Sequence, residues 1–202
     1  MARNQNPPRV SGTVIVVRGL ASLRFTAAAR CAEETPLLLG LVAAFSASEG
    51  IRKDTGVISW VRWPNRVAID GKTVAEASAR VTPGVGAGRL ALLSVTVNLL
   101  HTNVRGSTSL FDSVGVEVDR DLLLEKILDS LSWMQVGWAT GMHEMLLRRI
   151  ASMTETIGST VTLKRRRASA EALGIDNLGR LRVRLSNGSE VSLTSGDELL
   201  AR

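Results

Sequence analysis

The stretch "SWVRWPNRVAIDGKTVAEASA", residues 59–79, decides the reading of the fold. It runs as a strand, a proline-broken corner, a short strand, a Gly turn and another strand. At the corner stand Trp63-Pro64-Asn65-Arg66. Pro64 turns the chain without needing a backbone N–H, and Trp63 offers a large ring to anchor the corner in a core. Asp70-Gly71 is a two-residue hairpin signal. Strands are therefore predicted over residues 57–62, 66–69 and 73–82.

Working outward, "TPGVGAG" (82–88) is a hairpin loop leading into "RLALLSVTVNL", an almost wholly apolar strand ending at Asn98. The glycine spacing of the loop resembles a phosphate cradle, but it lacks the lysine and precedes a strand rather than a helix. Upstream, the β-branched run over residues 10–18 predicts a buried strand. "ETPLLLGLVAAFSASEGI" then predicts a helix, with Thr35 as N-cap, Pro36 at the first helical position and Gly50 as its stop. Downstream, residues 118–153 read as helical, with a second run, "HEMLLRRIASM", after Gly137 and Gly141. Leu123, Leu124, Ile127, Leu128 and Leu131 form one apolar face, and Asp119 and Asp121 sit at the start, where carboxylates favour the dipole. After Gly158 the pattern changes to short strands ("STVTLKRRR", "ASAEAL", "GRLRVRL", "SEVSLT", "DELLA") with tight turns. Closely spaced strands of this kind predict a small β-barrel.

The 202 residues are 45% apolar and 22% charged, a globular composition. A single cysteine, Cys31, excludes an intramolecular disulfide and a multi-cysteine metal site. His143 and Glu144 have only His101 as a second histidine in the chain, so a solvent-facing pair is expected rather than a metal site. The first residues, "MARNQNPPRVSG", are polar and do not read as a signal peptide. The longest apolar run falls short of a membrane span. A cytoplasmic protein without a membrane partner is expected. Net charge is +6, with one dense cluster, Lys164 to Arg167. Scattered arginines and few aromatics favour a charged, solvated strand edge over a nucleic-acid surface.

Taken together, these segments resemble the biotin protein ligases. "NPPRVSGTVIVVR" (6–18) is similar to the segment after that family's biotin loop, and "VRWPNRVAIDGKTVAEA" to its Lys-Trp-Pro-Asn-Asp corner and following strand. "LLSVTVNL" sits where the family has a Gly-x-Gly-x-Asn strand. "STSLFDSVGVEVDRDLLLEKILDSL" resembles its Thr-Ser-Leu segment and helix. "ALGIDNLGRLRVRLSNGSEVSLTSGDELL" resembles its C-terminal barrel, with Gly-Ile-Asp, Gly-x-Leu and Ser-Gly-Asp marks. The resemblance implies an α+β fold, a mixed or antiparallel sheet with packed helices, followed by a small C-terminal β-barrel. It divides the chain into residues 1–157, a catalytic-type domain lacking its N-terminal part and biotin loop, and residues 158–202, the barrel.

The family activates biotin with ATP and transfers it to a lysine of a carrier domain. That chemistry needs a lysine to neutralise developing charge, a closing loop to exclude water from the mixed anhydride and a carboxylate near magnesium. Matched residue by residue, the working positions differ. The family's aspartate after Trp-Pro-Asn is Arg66, and its catalytic lysine falls on Thr73, with Lys72 beside it. The glycine that lets biotin approach is Glu76, and the strand glycines are Ser94 and Thr96. Trp63, Pro64, Asn65 and Asn98 are retained, and with Glu76 they mark the remnant of the pocket. Neighbouring strand residues face opposite ways, so Lys72 replaces Thr73 only if a bulge shifts the register. Losing two or three charged hydrogen bonds from a transition state costs about 4–8 kcal/mol, or roughly 10³- to 10⁶-fold in rate. The expectation is a non-catalytic relative acting as a binding or regulatory module. The alternatives are a diverged ATP-dependent acyl-adenylating ligase, for which biotin and ATP would be the ligands, and a nucleic-acid binder using Lys164 to Arg167. A homodimer, a biotin ligase or a biotin carrier domain is the expected partner; nucleic acid is not.

Overall fold

The computed structural model describes residues 14–18, 21–31, 34–84, 88–164 and 167–199. Residues 6–13 of the first matched segment, Val85 to Ala87 of the hairpin loop, and Arg165 and Arg166 of the basic cluster lie outside them.

Six strands form the main sheet: β1 (Val14–Arg18), β2 (Ser22–Cys31), β3 (Trp60–Arg62), β4 (Arg66–Ile69), β5 (Lys72–Pro83) and β6 (Arg89–Asn98). Their order is β1-β2-β6-β5-β4-β3, every neighbour antiparallel. The sequence reading assigned no element to residues 22–31, yet β2 pairs along its whole length with β6.

Helix α1 (Pro36–Thr55) begins as expected, the Thr35 hydroxyl accepting the Leu38 N–H, but it does not stop at Gly50. It continues to Gly56, whose positive φ closes the helix through its N–H to the Arg52 carbonyl. Gly50 is instead a contact point with α3 (Arg120–Ala139), for a Cβ there would stand 2.4 Å from Ile127 Cγ1 and 2.9 Å from its backbone N. Pressed between the sheet and α3, α1 is buried from Leu41 to Ile51 without a break, which explains its lack of a polar face. Within it, Ser48 and Ser59 exchange a 2.9 Å hydroxyl contact that ties the helix to the entry of β3.

The predicted helical span 118–153 holds α3, capped by Asp119, and, where the second run was expected, α4 (His143–Ser152). A short α2 (Leu110–Val114) precedes them. His143 and Glu144 are exposed, occupied by the Trp138 carbonyl and Arg148. Among the described residues, no three His, Cys, Asp or Glu side chains are grouped to hold a metal, and no helix is long and apolar enough to cross a membrane.

The C-terminal strands β7 (Thr160–Leu163), β8 (Ala168–Ile175), β9 (Leu181–Leu185) and β10 (Glu190–Leu193) form an antiparallel sheet in the order β10-β9-β8-β7. Among the described residues the expected barrel is thus an open sheet, drawn together at its ends by a bridge between Leu163 and Leu199. Of "DELLA", Asp197 and Glu198 belong to a 3₁₀ turn, Gly196–Glu198, rather than to a strand, with the Glu198 carboxylate accepting the Thr194 and Ser195 N–H groups; Leu200 and Ala201 lie outside the described residues. Lys164 and Arg167 themselves have turn conformation, just after β7 and just before β8, rather than lying in a strand.

Glu49 is buried on α1 and bridges Arg52 at 2.7 Å and Arg149 of α4 at 2.9 Å. Burial opposes its ionisation, but the hydrogen bonds and charges of Arg149 and Arg52 prevail and hold its carboxyl below the usual glutamate range. A depressed pKa gives stability that is complete above the unfolded value, about 4.3, and is lost as pH falls through the folded value. Denaturation profiles should therefore show an acid limb that Glu49→Gln flattens. Gly50→Ala should lower the urea midpoint: overpacking against Ile127 costs about 1–3 kcal/mol and outweighs the about 1 kcal/mol helix preference for alanine.

Candidate functional site

The Trp-Pro-Asn corner lies where the two sheets meet. Trp63 is 3% exposed. Its indole N–H donates to the Gly179 carbonyl at 2.8 Å, and its backbone N–H to the Thr156 hydroxyl at 3.0 Å. The Trp63–Pro64 peptide is cis. The far side of this joint has little room. Gly179 has φ of 81°, and a Cβ there would lie 2.7 Å from Leu38 Cα; one on Gly196 would lie 2.9 Å from Pro64 Cδ. The Thr35 hydroxyl, which caps α1, also donates to the Leu178 carbonyl at 2.7 Å. The Asp176 carboxylate shapes the loop that makes these contacts by accepting the Leu178 and Arg180 N–H groups and Arg180 Nε. The Gly-Ile-Asp, Gly-x-Leu and Ser-Gly-Asp marks thus meet the corner or build the loop that does.

Asn65 is engaged with β5. Its Nδ2 donates to the Ala77 carbonyl, and its own carbonyl accepts the Ala77 N–H at 2.8 Å. Asn98 donates to the Thr108 carbonyl at 3.1 Å, fixing the Thr-Ser-Leu segment that opens α2. Ser109 caps that helix, and its hydroxyl donates to Asp112 at 2.7 Å, which also meets His101 Nδ1 at 2.5 Å. The Ser109 hydrogen bond, then His101 and more distantly Lys72, hold Asp112 below the usual aspartate range.

The face of the main sheet turned away from α1 carries a polar row that crosses five strands. Register places Arg62, Arg66, Glu76, Thr96 and Arg24 side by side on β3, β4, β5, β6 and β2. Arg66 Nε lies 2.9 Å from Glu76 Oε1, and Arg62 lies 2.6 Å from Glu155. In the next row Thr26 and Ser94 hydroxyls meet at 2.8 Å, with Ser78 paired beside them. Arg24 and Arg80 are exposed on this face.

A β-bulge is present, but it does not rescue Lys72. The pairing of β4 with β5 slips between Val67 and Ala68, leaving Val74 as the extra residue. Val74 and Ala75 both turn inward and are buried. The bulge therefore brings Thr73 onto the same face as Glu76, with Lys72 left opposite. Thr73 is 8% exposed. Its N–H donates to the Gly106 carbonyl and its carbonyl accepts the Thr108 N–H, both at 2.9 Å, so the loop before α2 folds over it.

Sequence reasoning named the corner and the Arg66, Thr73 and Glu76 positions, which the fold brings to one end of the sheet. It missed Arg24 and Thr26, because β2 had not been assigned. Behind the sheet, on the α1 side, lies a groove of about 1600 Å³ that it also missed.

Residues 156–197 match the family model for the biotin protein ligase C terminal domain. The whole architecture matches solved structures. The biotin protein ligase of Aquifex aeolicus superposes with a TM-score of 0.72 at 20% identity, covering 90% of this chain and 82% of that one. The chain has the biotin protein ligase fold. A biotin protein ligase-like protein of unknown function from a Silicibacter species gives a TM-score of 0.75 at 15% identity, covering 96% of this chain and 91% of that one. The Leishmania major biotin protein ligase in complex with biotin gives 0.55 at 14% identity, covering 92% and 89%. No curated protein matches the sequence.

In this biotin protein ligase-like chain, Trp63→Phe removes the bond to the Gly179 carbonyl and leaves that acceptor buried. Unfolding free energy should fall by about 1–3 kcal/mol in urea titrations. Arg66→Ala, which breaks an exposed pair, should cost less than about 1 kcal/mol.

Proposed function

We propose that the chain is a non-catalytic biotin protein ligase-like protein acting as a binding or regulatory module, built as residues 1–157 followed by a C-terminal unit, 158–202. The observation that carries this reading is the Arg66–Glu76 ion pair on the polar sheet face. Biotin and its adenylate bring negative charge to such a face. Here Glu76 opposes that charge and Arg66 is neutralised by Glu76. Thr73 offers no positive charge, its backbone is engaged on both sides, and the side chain of Lys72 lies across the sheet. Trp63, Pro64, Asn65 and Asn98 have partners within the fold, which supports their retention as architecture rather than as chemistry. A biotin carrier domain, a true biotin ligase or a second copy of the chain is the partner this reading gives the module.

A second reading, a diverged acyl-adenylating ligase, draws support from Arg24 and Arg80, which add positive charge to the same face. Pyrophosphate release from ATP and magnesium in the presence of biotin separates the two. The proposal expects release at the level of the protein-free control. Release above that level, reduced by Arg24→Ala, would establish the second reading instead.

A further inference from the structure

Six strands at about 4.8 Å spacing make a sheet about 24 Å across, and helices packed side by side stand about 8–10 Å apart. Covering one face therefore takes two helices. Here α1 packs over β5, β6, β4 and β3, while α3 packs on α1. The same face of β1 and the outer part of β2 borders the open groove. Its floor is Val14, Ala27, Ala29 and Leu93, its walls Leu39 of α1 and Leu128 of α3. Alanines on the floor let a backbone come close, and the width that the described residues leave uncovered is one helix.

The rim indicates the sign of what fits. Asp121, Glu125 and Asp129 stand at i, i+4 and i+8 along α3, all exposed, beside the apolar row of Leu124 and Leu128. With Glu34 they make four carboxylates on the groove against Arg30 and Lys53 of its lining and Lys126, which lies 3.5 Å from Glu125, in a protein whose net charge is +6. The groove is thus an acid-rimmed apolar slot in a basic molecule. Helix-in-groove recognition needs these two parts, an apolar floor for the anchors and a charged flank for register.

We propose that this groove docks an amphipathic helix of a second protein, apolar on one face and carrying Lys or Arg on the flank that meets α3. It lies on the opposite side of the sheet from the polar row, so it stands whether or not that row binds an adenylate.

The probes are two synthetic helical peptides with leucine on one face, one with lysine along the flank and one with glutamate in the same places. Binding to the intact chain is followed by the fluorescence of Trp133 and Trp138, which line the groove, and by calorimetry. The lysine peptide should bind roughly ten-fold tighter than the glutamate peptide, the sum of a few exposed ion pairs. The triple variant Asp121→Lys, Glu125→Lys, Asp129→Lys, altered only at exposed positions, should reverse that order. Ala29→Trp, which fills the floor, should abolish binding of both peptides, with circular dichroism confirming that each variant is folded. Equal affinities in the wild-type chain, or binding that Ala29→Trp leaves intact, would overturn the proposal. So would a dimer in sedimentation that Ala29→Trp dissociates, which gives the groove to a second copy. Lysine-peptide binding seen only after residues 1–13 are deleted would give it to the chain's own N-terminus and overturn the proposal as well.

Discussion

The buried indole of Trp63, donating to the carbonyl of Gly179, is the interaction that fixes how the two sheets meet. An indole N–H taken out of water must find an acceptor, because an unmatched buried donor costs about 1–3 kcal/mol. Here the acceptor belongs to a loop more than a hundred residues later in the chain. Once that bond sets the distance, the remaining contacts have little freedom. Leu38 closes on Gly179 and Pro64 on Gly196, places where a β-carbon would collide with backbone or ring. Thr35 caps α1 and binds the Leu178 carbonyl with one hydroxyl, so the helix over the sheet and the C-terminal loop share an anchor. A corner that resembles an active-site motif in sequence is, in this fold, a joint.

Much of the fold was legible because local chemistry and packing agree. The Asp70-Gly71 turn, the Thr35-Pro36 helix start and the strand ending at Asn98 are each signalled by several residues in succession. Strand β2 was not, because Ala27, Ala28 and Ala29 blunt the inside-outside alternation that Leu23, Arg24 and Phe25 begin. Gly50 misled for a different reason. Glycine stops helices when it must adopt positive φ, but it also lies within helices where a neighbour comes too close for a β-carbon, and Ile127 sits 77 residues away in sequence, beyond local reading. Among the described residues the C-terminal sheet differs from a barrel in its closure, which rests on the Leu163–Leu199 bridge that strand patterns do not reveal. The site was half legible. Arg66, Thr73 and Glu76 could be named from the corner, but their shared face depends on the bulge at Val74, whose presence only pairing discloses.

The two faces of the main sheet follow different rules. One is apolar and, beside α1, incompletely covered. The other is hydroxyl- and charge-lined, and its internal ion pair leaves little unbalanced charge at the centre. Glu76 beside Arg66 makes a self-satisfied pair at the middle of that face. The protein has the biotin protein ligase fold, and its polar face finds ion-pair and hydroxyl partners within the chain.

Calorimetric titration of the intact chain with biotinyl-5′-AMP tests that claim most directly. Since Glu76 opposes the phosphate and Arg66 is already paired, the account predicts no saturable heat at micromolar concentrations. Saturable binding at about 1 μM or tighter, worth about 8 kcal/mol and weakened by Arg24→Ala, would contradict it.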